Sequence, residues 1–136
     1  MVTIAQMTKW DFDVLMWTEV GTCWRKANFC DNWENRITNT NKKTKATFGC
    51  NTAELDNTKL LQMGGVGITL AGETIQRSIE SGKDPSGLGR WSWDCIQEKQ
   101  GQKTRVVLAH HPCTNVGQGK NCCRSTQTIL SSQTDH

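Results

Sequence analysis

The chain has 136 residues, with 16 Lys+Arg against 13 Asp+Glu and a net charge of +3. That length suits one domain of about 100–150 residues and excludes a large multidomain enzyme. A hydrophobic share of 35% and a mean hydropathy of −0.58 leave room for only a small core, and a charge this mild is not by itself the clustered basic face of a nucleic-acid binder.

Residues 1–9 carry Ile4 and Met7 three apart, which predicts a short amphipathic helix. The same segment lacks the basic start and long apolar centre of a signal peptide. No stretch approaches the ~18 apolar residues of a membrane helix. The expectation is a protein of the cytoplasm or nucleus with no membrane partner. Residues 13–20 contain the run Val14-Leu15-Met16-Trp17 and predict a strand buried on both faces. Trp24, Ala27 and Phe29 suggest a helix over 24–33, and the Lys-rich segment 38–45 reads as a solvated loop. A short strand is expected over 46–51, while 53–62 is ambiguous. Residues 64–70, Gly-Gly-Val-Gly-Ile-Thr-Leu, read as a Gly-rich entry into a strand. They lack the Lys-Ser/Thr of a P-loop, so the glycines are read as room for a neighbouring element. Residues 71–81 are mixed, and 82–87 are dense in turn residues. Residues 91–96 alternate large and polar side chains, 100–102 suggest a hairpin turn, and 105–109 form a β-branched partner strand closed by Pro112. Residues 121–132 are read as a closing helix.

The seven cysteines are Cys23, Cys30, Cys50, Cys95, Cys113, Cys122 and Cys123. An odd count in a chain without a signal peptide favours thiols over a disulfide framework. His110, His111, Cys113 and Cys122 are zinc-ligand types, although their spacing matches no standard pairing. They define one alternative, a small interaction or zinc-binding domain without catalysis.

The pattern of elements is α+β. Its most informative segment is Asp13-Val14-Leu15-Met16-Trp17-Thr18-Glu19. A carboxylate at the end of a buried strand is well placed to hold Mg²⁺, which needs one or two protein carboxylates plus water and phosphate. An acidic residue there also simply caps a strand at the surface. Three further segments accompany it: Gly64-Gly65-Val66-Gly67-Ile68, then Asp84-Pro85-Ser86-Gly87-Leu88-Gly89-Arg90-Trp91-Ser92, then Val106-Val107-Leu108-Ala109-His110-His111-Pro112-Cys113. In this order and spacing the four segments resemble the endonuclease/exonuclease/phosphatase family of deoxyribonuclease-I-like fold. The likeness is to the branch found with reverse transcriptases and mobile elements such as retrotransposons, and it runs from about Met1 to about Leu130.

The resemblance implies a four-layer α-β-β-α sandwich with a mixed sheet and flanking helices, here incomplete. Residues 1–136 then form a single truncated domain. It implies Glu19 as ligand to a catalytic Mg²⁺. It implies His110 as a catalytic hydrogen-bonding group, in the place where the family has Tyr, and nucleic acid as partner. Oligomeric state is not implied. The family's Asn on an earlier strand and its later Asp-x-Asn and Asp-His motifs have no counterpart in the segments that match. Asp135-His136 at the extreme end comes too early to be that dyad. The expectation is a fragment of a Mg-dependent phosphodiesterase or endonuclease, inactive as it stands, with one apolar sheet face left open. Arg90 and Trp91 could contact phosphate and a base. Trp91 is read instead as packing into the core at the start of its strand.

Overall fold

The structure is a computed structural model that describes residues 6, 9–18, 20, 29–52, 64–110 and 126–133, with backbone alone for 29–32 and 126–133. The elements are β1 (Val14–Thr18), α1 (Phe29–Thr40), β2 (Thr44–Gly49), β3 (Val66–Ala71), α2 (Thr74–Arg77), β4 (Ser78–Lys83), β5 (Trp91–Gln97), β6 (Lys103–His110) and β7 (Thr126–Gln133). The fold is α+β. Two antiparallel sheets form, one of three strands in the order β1-β3-β2 and one of four in the order β4-β5-β6-β7. The mixed sheet expected from the sequence does not occur among the described strands. In the second sheet consecutive strands are neighbours, and short connections between neighbouring strands require antiparallel pairing.

The two sheets pack face to face, β2 lying across β4 and β5 and β3 across β5 and β6. Val66, Ile68 and Leu70 of β3 meet Ile96, Val106 and Leu108 of the second sheet, with Val14 and Met16 of β1 packed against them. Period-2 alternation sends the other side chains of β1 and β2 to the opposite face. There Leu15, Trp17, Ala46 and Phe48 gather with Cys50 under Trp33 and Ile37 of α1. Trp33 and Ile37 are four apart and so share one helical face. The helix therefore covers 29–40 rather than 24–33, and it takes in the start of the segment read as a loop. It ends where Asn41 N–H donates to Ile37 O at 3.0 Å and the Asn41 side chain accepts from Lys43 N–H at 3.0 Å.

Strand β1 has its apolar run covered on both faces, but as an edge strand it stays only half-buried. The fully buried strand is β3, whose residues Val66–Leu70 are all buried. Here glycine does what the sequence suggested. A Cβ at Gly67 would stand 2.5 Å from the ring of Phe48, its cross-strand partner. The aromatic ring lies over the glycine, and no other residue leaves it room.

The second sheet inverts the expected pattern. Ser92, Asp94 and Ile96 of β5 turn towards the first sheet, while Trp91, Trp93 and Cys95 turn away. Trp91 is half-buried and, among the described residues, belongs to neither apolar cluster, which differs from its reading as a core residue. The reason is a polar trio between the sheets. Asp94, 1% exposed, accepts the Ser78 hydroxyl at 2.6 Å, and the Lys45 ammonium reaches Ser78 Oγ at 2.7 Å and Asp94 Oδ2 at 3.4 Å. On the outer face the Arg105–Glu80 pair, 3.9 Å apart, passes over Cys95, which sits between them in register. The Arg105 guanidinium also lies 4.4 Å above the Trp93 ring.

Strand β7 replaces the helix expected over 121–132. It pairs with β6 along all eight residues, and its β-branched Thr126, Thr128 and Ile129 suit that pairing better than their weak helical periodicity suits a helix. Two sheets thus close on each other, and among the described residues the open apolar sheet face expected of a fragment is not found. Among the described residues the exposed large hydrophobics are Trp10 and Ile79. Of residues 1–9, Gln6 is helical and accepts from Lys9 N–H at 3.2 Å. No helix among the described residues is long and apolar enough to cross a membrane.

Two stability measurements check this packing. Gly67→Ala should lower the unfolding free energy by about 1–3 kcal/mol, the usual range for overpacking, because Phe48 has to move. Ser92 is fully buried and its hydroxyl has no hydrogen-bond partner among the described residues. Ser92→Ala should therefore leave stability unchanged or raise it by about 1 kcal/mol in chemical denaturation.

Candidate functional site

Strand registers define one end of the sandwich. Thr18 of β1 and Gly49 of β2 both pair with Val66, the first residue of β3. In the second sheet Lys83 pairs with Ser92, Trp91 with Ala109, and His110 with Thr126. A Cβ at Gly49 would stand 3.0 Å from Trp91 O and 3.8 Å from the Lys83 side chain. The two sheets therefore bring these termini to the same end. Val14 and Met16 pack on the cluster containing Val106 and Leu108, so β1 lies on the β6 side of the sandwich. The last residue of β1, Thr18, and the last of β6, His110, share this end.

His110 is 8% exposed and falls on the same face of β6 as Val106 and Leu108. Its backbone N–H donates to Arg90 O at 2.8 Å, which fixes the strand end against the loop before β5. That loop folds around one carboxylate. Asp84 Oδ1 accepts from Ser86 N–H at 2.9 Å and Ser86 Oγ at 2.6 Å, and Oδ2 accepts from Arg90 N–H at 3.0 Å. Burial pushes the Asp84 carboxyl up. The Ser86 hydroxyl, the Arg90 and Ser86 amides and the Arg90 charge outweigh it and hold the group below its ordinary value. Gly89 has φ +62, and a Cβ there would meet the Cys50 carbonyl carbon at 2.5 Å. Only glycine lets the turn sit down on the end of β2.

Glu19, the expected Mg²⁺ ligand, lies outside the described residues, as do His111, Cys113, Cys122 and the Asp135-His136 pair. Among the described residues no group of three or more His, Cys, Asp or Glu is placed to hold a metal ion. Asp84 does not serve, since both its oxygens are engaged by loop donors. A single Glu carboxylate is a hard oxygen donor and is chemically suited to Mg²⁺, with waters and phosphate completing the shell.

Two features at this end were not read from the sequence. Asn51 is 7% exposed, bridges Leu88 and lies against Gly64, where a Cβ would be 3.4 Å from its own. Its signal was faint, a lone polar residue after a short strand. Cys50 is disulfide-bonded, which corrects the expectation of thiols at that position, whereas the buried Cys95 is free. Cysteine counting finds neither, because pairing depends on which strand ends meet.

The pH dependence of stability tests the Asp84 clamp. Because the folded carboxyl lies below its unfolded value, near 3.9, the unfolded chain binds more protons in the window between the two. The clamp's contribution is complete above about pH 4 and is lost as pH falls through the folded value. Asp84→Asn should flatten the fall in stability below about pH 4 as measured by urea denaturation at stepped pH. An unchanged profile would show that the clamp contributes nothing.

No family model, curated protein or solved structure matches this chain.

Proposed function

We propose that this sandwich carries part of the active-site framework of a Mg-dependent phosphodiesterase or endonuclease acting on nucleic acid, and that these 136 residues do not turn over on their own. In this reading the two sheets and α1 correspond to layers of a deoxyribonuclease-I-like sandwich. The observation that carries it is the placement of Thr18 and His110 at the same end of the sandwich, with the loop of residues 84–90 beside His110. Glu19 follows Thr18 in the sequence and would hold the metal. His110 would offer an imidazole N–H to a phosphate oxygen. Arg90, exposed on the same loop, adds positive charge there.

The chemistry explains the lack of turnover. Water attacking a metal-bound phosphodiester needs a general base and donors that stabilise the charge of the transition state. Glu19 and His110 supply one metal ligand and one donor. The Asp-His motif that would supply the base has no counterpart in the segments that match. Removing one such group commonly lowers a rate by about 10²–10⁴.

The purified protein with Mg²⁺ should leave supercoiled plasmid DNA uncut. Cleavage that disappears in Glu19→Ala would overturn the inactivity. Placement is tested separately with Mn²⁺ as a paramagnetic stand-in. It should broaden the amide resonances of Thr18 and His110, and Glu19→Ala should abolish that broadening. Broadening centred elsewhere would end the site assignment.

A further inference from the structure

A second group of reactive side chains lies away from the end that holds His110. Ser78 opens β4, Lys45 stands near the start of β2, and Asp94 is at the centre of β5. Lys45 pairs with Leu70 and Ser78 with Ile96, whereas Val66 and Trp91 mark the His110 end. The Ser78 hydroxyl donates to Asp94 Oδ1 at 2.6 Å. The Lys45 ammonium donates to Ser78 Oγ at 2.7 Å and to Asp94 Oδ2 at 3.4 Å. Asp94 is 1% exposed, Ser78 is half-buried, and the Lys45 side chain is 37% exposed. Among the described strands β2 and β4 are edges of their sheets, and Ser78 and Lys45 keep access to solvent there.

We propose that Ser78 is a nucleophilic serine that hydrolyses small carboxylic esters through an acyl-enzyme, with Asp94 as its general base and Lys45 as the cation that stabilises developing charge. A serine hydroxyl is a weak nucleophile until a neighbouring base takes its proton, and a third group has to hold that base in place. Asp94 is within hydrogen-bond reach of the hydroxyl, and Lys45 holds Asp94. Ser78 Oγ has two lone pairs. One accepts from Lys45, and the other is left for the acyl carbon. Lys45 has three N–H donors. Two go to Ser78 and Asp94, and the third is left for the carbonyl oxygen as it gains charge. In the first step Ser78 Oγ bonds to the carbonyl carbon, its proton passes to Asp94, and the carbonyl oxygen becomes an oxyanion. As the carbonyl re-forms, the bond to the leaving alcohol breaks and Asp94 returns the proton to the alcohol oxygen. Water attacks the acyl group on Ser78 by the same path and frees the serine. The sum is one ester and one water converted to one carboxylic acid and one alcohol. The inference does not depend on the phosphodiesterase reading. It uses no metal and no residue of the His110 end, so either reading can fail without the other.

The experiment treats the full chain, in EDTA, with a fluorophosphonate, which phosphonylates a nucleophilic serine and releases fluoride. Peptide mass spectrometry should place the adduct on Ser78 in native protein and find none on denatured protein. p-Nitrophenyl acetate should release a burst of p-nitrophenol close to one equivalent of protein. Ser78→Ala should abolish both signals, and Asp94→Asn should slow the labelling by about 10²-fold or more, with far-UV circular dichroism checking that each variant folds. Native protein that takes no label, takes it on another serine, or labels no faster than denatured protein would overturn the assignment. That comparison uses the unaltered chain, so it decides the matter even where a variant fails to fold. Labelling of folded Asp94→Asn at the unaltered rate would remove Asp94 as the base and overturn the mechanism.

Discussion

The contact between β3 and the second sheet organises the molecule. Val66, Ile68 and Leu70 are each at most 1% exposed and press against Ile96, Val106 and Leu108. Burying side chains of this size contributes about 1.5–3 kcal/mol each relative to exposure, against about 0.5–1.5 kcal/mol for a typical hydrogen bond and about 0–1 kcal/mol for a surface ion pair. Because the contact face of β3 is fixed, its neighbours are fixed too. β1 must send Val14 and Met16 to the inter-sheet space and Leu15 and Trp17 to the helix. β2 must send Phe48 to the helix and Lys45 inwards.

That inward Lys45 decides how the second sheet is dressed. An ammonium at the edge of an apolar layer needs an anion and a second acceptor, and Asp94 with Ser78 provides both. With Asp94 inside, alternation puts Trp93 outside, where it lies over Gly82 and under Arg105. The tryptophans of β5 therefore lie on the face turned away from the first sheet. The polar trio does not add much net stability, since a partly exposed Lys gains little from its ion pair. What it does is make the alternative register costly. A one-residue slip of β5 would bury two indoles and leave Lys45 facing no carboxylate.

How much of this was legible in the sequence follows from the same contacts. The strands at 14–18, 66–71, 91–97 and 103–110 show in apolar runs, alternation and β-branched content, which are local properties. The glycine entry to β3 was legible because a glycine inside a strand marks close approach, and Phe48 makes that approach. The direction of Trp91 was not, because it is set by Lys45, 46 positions away, and no local rule sees that distance. Strand β7 was missed for a related reason. Its residues have weak preferences of their own, and the exposed edge of β6 supplies the pairing that decides them. Of the candidate site, His110 was singled out through its place in a motif. Asn51 and the Cys50 disulfide were not, since both owe their positions to the meeting of two loops.

The His110 position closes β6 at the candidate end of the sandwich. Its place is held by the main chain, through the N–H to Arg90 O and the pairing with Thr126, and the flanking Leu108 is anchored in the core. None of these contacts uses the imidazole. These main-chain contacts set the attachment point, while the side chain is buried on the face shared with Val106 and Leu108. A phenol extends further than an imidazole and presents its donor at the tip, whereas an imidazole presents nitrogens at two edges of a shorter ring. In the proposed phosphodiester site, an imidazole where the resemblance would have a phenol keeps the attachment point and shortens the reach. A phosphate held there would have to sit deeper, closer to the loop that Asp84 folds and Gly89 seats on β2.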